Sequence, residues 1–91
     1  MVAMVLNLEV DDYDDFKRRF DSDPGGRKGI ATGHTVSCNV ENPNDVFIRT
    51  EYASVEDAKK VRQQLLDSGA LSKFTVKTPP TIIEIADQAT Y

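Results

Sequence analysis

Apolar and polar residues alternate from the second position onward. Val2, Met4, Leu6, Leu8 and Val10 define one face, and Ala3, Val5, Asn7 and Glu9 a mixed one. This period of two predicts a strand over Val2–Val10. At Asp11 the period changes. Tyr13, Phe16 and Phe20 recur at helical spacing, and Asp12 with Asp15 makes an acidic version of a capping box. A helix is therefore expected from Asp11 to about Ser22, its aromatic stripe on the sheet. Asp23-Pro24-Gly25-Gly26 stops it. Arg27–Gly33 reads as a glycine-punctuated loop with room for a short helical extension. Two β-rich runs follow, Gly33–Val40 and Val46–Tyr52, around Glu41-Asn42-Pro43-Asn44-Asp45. They predict a hairpin with a five-residue loop, in which Pro43 presets the turn. On its first strand His34, Val36, Cys38 and Val40 share one face. On its second, Val46, Ile48 and Thr50 oppose Phe47, Arg49 and Glu51. Ser54 caps a second helix with the stripe Val55, Ala58, Val61, Leu65 and Leu66. Asp67-Ser68-Gly69 interrupts it, and Ser68 can cap one more turn through Leu71 and Phe74. Thr78-Pro79-Pro80 enforces extended backbone before a last strand over Thr81–Ala86. The tail from Asp87 to Tyr91 is expected to fray.

The order is β-α-β-β-α-β, with no internal repeat. Two βα halves flanking one hairpin match the split, ferredoxin-like arrangement. The expected architecture is an α+β sandwich, one domain over residues 1–91, with an antiparallel sheet carrying both helices on one face. The other face needs cover, and no segment remains to supply it. A second copy of the chain would, and a core this small gains from the added burial. A homodimer through the sheets is the expectation.

Composition narrows the function classes. A net charge of −4 and basic residues interleaved with acids argue against a nucleic-acid partner, which needs clustered Lys and Arg. One cysteine leaves no intrachain disulfide and no multi-cysteine metal site, and fits a reducing cytoplasm. The opening apolar run has no basic flank and reaches Asn7 and Glu9 too soon for a leader or a membrane span. A cytoplasmic protein without a membrane partner is expected.

Three stretches carry a resemblance. Val10-Asp11-Asp12-Tyr13-Asp14-Asp15-Phe16-Lys17 is similar to the strand-to-helix opening of dimeric α/β-barrel proteins of the antibiotic-biosynthesis-monooxygenase-like group. So are Glu41–Val46 followed by Glu51-Tyr52-Ala53-Ser54-Val55-Glu56-Asp57-Ala58, and Thr78-Pro79-Pro80 before an apolar strand. The resemblance implies a dimer with sheets packed face to face and a pocket between helices and sheet in each subunit. The group includes cofactor-free monooxygenases acting on polycyclic phenols, polyketide cyclases, haem-degrading enzymes and proteins with no known activity. The chain departs from the haem-degrading pattern: it has no Trp. A shared fold does not fix the chemistry.

Candidate chemistry centres on the hairpin. His34, the only histidine, carries an imidazole that can shuttle a proton or hold an oxyanion; its bland alternative is a strand-end side chain in water. Tyr52 and Tyr13 can assist as hydrogen-bond donors, or simply pack. Phe16, Phe20, Leu65 and Phe74 would form an apolar wall, with Cys38 and Arg49 as further substrate contacts. Cys38 stands about 13 Å along the strand from His34, too far for a catalytic pair, and is better read as a small buried hydrophobe. Arg49 has the alternative of a cross-sheet ion pair. The acids at the first helix start are explained by capping. The run from Asp21 has Gly25 and Thr32 where a calcium loop needs ligands. No metal and no cofactor are expected. The function expected is binding, and transformation, of an apolar aromatic or polyketide-like small molecule by a cofactor-free monooxygenase- or cyclase-like protein. The alternatives are a non-catalytic dimeric module binding a metabolite or a protein, and a stress-related protein with no small-molecule role.

Overall fold

In the computed structural model, which describes residues 1–91, the first alternating run forms β1 (Val2–Glu9), inside a four-stranded antiparallel sheet. The other elements are α1 (Tyr13–Asp21), β2 (Gly33–Asn39), β3 (Asn42–Tyr52), α2 (Val55–Ser68) and β4 (Thr75–Glu84). Short 3-10 turns at Arg27–Gly29 and Ala70–Lys73 precede β2 and β4. The strand order β2-β3-β1-β4 completes the ferredoxin-like βαββαβ sandwich.

Alternation places the core. Val2, Met4, Leu6, Leu8 and Val10 are all buried beneath the helices. The core divides in two. Leu6, Leu8, Val10, Phe16, Val46 and Ile48 pack under α1, and Val2, Met4, Tyr52, Ala58 and Val61 under α2. The helix starts follow their sequence signals. Asp12 accepts from the Asp14 amide at 3.1 Å, and Ser54 Oγ from the Asp57 amide at 3.2 Å. Asp15 does not reach back to close a capping box. Its carboxylate runs forward to Arg18 at 3.1 Å and Arg19 at 2.9 Å, because two cations one turn on compete better than one backbone amide.

Two boundaries differ from expectation. The hairpin loop is not five residues: only Val40 and Glu41 separate β2 from β3. Pro43, Asn44 and Asp45 belong to β3, at an irregularity between the pairs Cys38↔Val46 and Asn39↔Asn42. The end of β1 holds them in the sheet, since the Val10 amide donates to the Asn44 carbonyl at 2.9 Å. The last strand starts at Thr75 rather than Thr81, and Thr78-Pro79-Pro80 lies inside it. An edge strand tolerates proline where a central one would not. Register shifts against β1, between Val5 and Asn7 and between Asn7 and Leu8, absorb the missing donors.

The face of the sheet away from the helices stays open. Phe47 there is 45% exposed. At one end of that face the Asp45 carboxylate accepts from Asn7 on β1 at 2.8 Å, Asn39 on β2 at 3.2 Å and Lys77 on β4 at 3.1 Å. One buried acid of β3 thus ties all four strands.

Candidate functional site

A cavity of about 190 Å³ lies at the seam between the two halves of the core. Leu6, Phe16 and Ile48 come to it from one half, and Met4, Tyr52 and Val61 from the other. Phe20, Leu65 and Phe74 complete an apolar wall. A void of about 150 Å³ takes one benzene, so the enclosed part admits one aromatic ring with substituents, and anything longer must extend through the mouth.

Polar groups enter at few points. Thr50 and Tyr52 point the same way from β3, two residues apart, and both are buried. Thr50 Oγ1 donates to Tyr52 Oη at 2.9 Å. With that bond made, the Tyr52 O–H has no protein acceptor and remains available to a ligand. Burial raises the Tyr52 phenol above its ordinary value near 10, against the Thr50 hydrogen bond and the Arg27 charge, which lower it. At neutral pH Tyr52 is therefore a donor and not a base.

The second polar point is the loop after α1. Arg27 is 6% exposed. Its Nη1 donates to the Phe20 carbonyl and to Asp23 Oδ1, both at 2.9 Å, and its guanidinium carbon stands 3.6 Å from the Phe20 ring centre. Asp23 is held in turn: Oδ1 also accepts the Arg27 amide at 2.9 Å and Oδ2 the Lys28 amide at 3.0 Å. These bonds fix Asp23 at φ 62°, a left-handed conformation that costs a non-glycine residue about 1–2 kcal/mol. Gly25 lets the loop lie against α2, since a Cβ there would stand 3.2 Å from Val61 Cγ1. Arg19 and Lys73 also line the cavity.

Of the candidates named from sequence, the structure brings Tyr52, Phe16, Phe20, Leu65 and Phe74 to one cavity. Four others lie outside its lining. His34 and Cys38 are exposed on β2. That edge strand runs beyond the two-helix layer, so Cys38 is not the buried hydrophobe expected. His34 meets the site through Phe20, its ring edge-on at 5.1 Å, and shares a separate surface depression with Arg27. Tyr13 is half-buried at the start of α1, its ring 6.0 Å from that of Phe16. Arg49 is on the open face of the sheet, 3.6 Å from Glu51, with its Nε buried and without a hydrogen-bond partner. Sequence reasoning passed over Thr50, Asp23 and Arg27. Thr50 had a signal, two residues before Tyr52 on the same strand face. Arg27 sits among glycines in a stretch that reads as a loose connection. No three His, Cys, Asp or Glu side chains converge as a metal-holding group, and no helix is long and apolar enough to cross a membrane.

No protein-family model and no curated protein sequence matches the chain. Solved structures do. SnoaB, a cofactor-independent oxygenase from Streptomyces nogalater, superposes in a variant form with a TM-score of 0.75 at 14% identity, over 96% of this chain and 94% of that one. A candidate antibiotic biosynthesis monooxygenase from Deinococcus radiodurans gives 0.70 at 14% identity, over 100% and 98%. One from Nitrosomonas europaea gives 0.63 at 12% identity, over 91% and 94%. At such identities what is shared is the backbone: this chain has the ferredoxin-like fold of the antibiotic-biosynthesis-monooxygenase-like proteins.

Proposed function

We propose that the protein binds and transforms a small apolar aromatic or polyketide-like molecule in the cavity between sheet and helices, as a cofactor-free monooxygenase- or cyclase-like enzyme. The observation that carries this is an aromatic-walled cavity with one free hydroxyl donor in a buried setting, the usual composition of a small-molecule site. The fold shared with a cofactor-independent oxygenase agrees with it. In this reading Phe16, Phe20 and Phe74 exclude water, and Tyr52 orients an oxygen of the substrate and supports negative charge on it. The molecule acts as a homodimer, its open sheet face covered by a second copy.

A second reading, a binding module without chemistry, draws on the lining itself. Tyr52 is held as a donor, the Asp23 oxygens are occupied, and His34 is outside the lining. Two measurements on the purified protein separate the readings. Dioxygen uptake with an electron-rich naphthol, and the mass of the product, report turnover. Equilibrium dialysis of the same naphthol reports binding. Uptake with one oxygen gained and two hydrogens lost, the naphthol supplying the electrons and the second oxygen leaving as water, supports the enzyme as an oxygenase. Saturable binding with no uptake and the naphthol recovered unchanged supports the module, and no binding removes both. Leu65→Trp, which fills the cavity wall, should weaken binding at least tenfold while costing about 1–3 kcal/mol of stability from overpacking.

A further inference from the structure

We infer that Arg27 makes the cavity selective for an anion: the Asp23-Pro24-Gly25-Gly26-Arg27 loop presents the guanidinium as a fixed clamp for the oxyanion of a small aromatic ligand. The inference rests on the cavity being a ligand site and adds which charge state it takes.

The loop is built to immobilise this one side chain. Nη1 is tied to the Phe20 carbonyl and to Asp23, and the plane lies on the Phe20 ring. Guanidinium carries five N–H donors, and protein acceptors engage only Nη1. The donors on Nη2 and Nε remain, on a side chain that lines the cavity. Those two nitrogens are not sealed off, since Arg49 Nε is the buried side-chain nitrogen without a partner. A guanidinium held this way offers donors that a ligand can reach. It is a good receptor for a carboxylate or phenolate, which completes its shell.

Asp23 does not cancel this role. Its two oxygens accept three N–H groups, two of them backbone amides, so its charge is directed into the loop. The other charged groups of the lining are Arg19 and Lys73. Arg19 is paired with Asp15 at 2.9 Å. The lining thus holds three cations and one carboxylate. The Tyr52 hydroxyl, which feels the Arg27 charge, supplies a neutral donor beside them.

The probe is 4-nitrophenol, whose phenol and phenolate differ in colour, so an absorbance titration reads both affinity and the protonation state bound. The parent protein should bind it with the pKa of the bound dye lowered by at least one unit, a tenfold preference for phenolate. Arg27→Gln should abolish the shift, and Arg27→Lys should restore part of it, as a point charge without the fork. A purely structural Arg27 would change affinity and stability together and leave the bound pKa alone. If the parent binds the dye with its pKa unchanged or raised, the inference is overturned and the cavity stands as a ligand site. If the parent does not bind the dye, both fall. The parent titration decides the matter even if Arg27→Gln does not fold.

Discussion

Thr50 and Tyr52 show how much one bond between hydroxyls does here. Each is buried, and each would lose hydration to no gain without the other. Tyr52→Phe leaves the Thr50 hydroxyl inside without its partner and should cost about 1–3 kcal/mol by urea denaturation. The double change Tyr52→Phe with Thr50→Val should recover part of that loss, because an apolar pair leaves nothing unsatisfied. The raised Tyr52 phenol sets an alkaline limit. Its pKa is higher in the folded state, so its contribution to stability is fully present below the unfolded value near 10. That contribution is lost as pH rises through the folded value, when only the unfolded chain ionises freely. Stability should therefore fall more steeply above pH ~10 in the parent than in Tyr52→Phe.

Elements were legible where one signal dominated. The alternation in β1, the capping residues Asp12 and Ser54 and the aromatic stripe of α1 each state a single conformation, and each formed. The hairpin loop was misread because Pro43 and three Asn or Asp residues carry turn propensity, while the hydrogen bond from Val10 that keeps them in β3 comes from 34 residues away in sequence. The site divides the same way. The aromatic wall follows from periodicity, but β2 lies beyond the helix layer, so sharing a strand face did not bring His34 or Cys38 to the cavity. Arg27 needed the close fit of Gly25 against Val61, which no local pattern encodes. The Asp45 network makes its own prediction. Hydrogen bonds from Asn7, Asn39 and Lys77 hold its carboxyl below the usual range. A pKa lowered on folding contributes stability that is present above the unfolded carboxylate value. It is lost as pH falls through the folded one. Asp45→Asn should therefore be less stable than the parent at neutral pH and flatten the loss of stability below pH ~4, read by acid titration of circular dichroism.

For the whole molecule the proposed homodimer rests on the open sheet face. Phe47 stands at its centre, with the partly buried Val5 beside Asn7 and Ile83 across β1 from Glu51. Native mass spectrometry should find a dimer, and Phe47→Asp should shift it to monomer by placing an unpaired charge at the apolar part of the contact in the proposed dimer. A monomeric parent would remove the dimer from the proposed function. The prolines of β4 bear on a different hazard. A sheet that is free at both edges can recruit copy after copy, each new strand offering the next a template. Here Pro79 and Pro80 lie inside the β4 edge strand. Because successive amides of a strand point to opposite sides, one missing donor falls on the free rim and the other toward β1, which breaks the rim into short stretches that cannot seed a continuous ladder. Only the β2 rim is left, and two β2 rims pairing with each other exhaust it. Strand addition in this protein ends at a closed pair, so a misassembled population should stall as small soluble species and not lengthen into fibres.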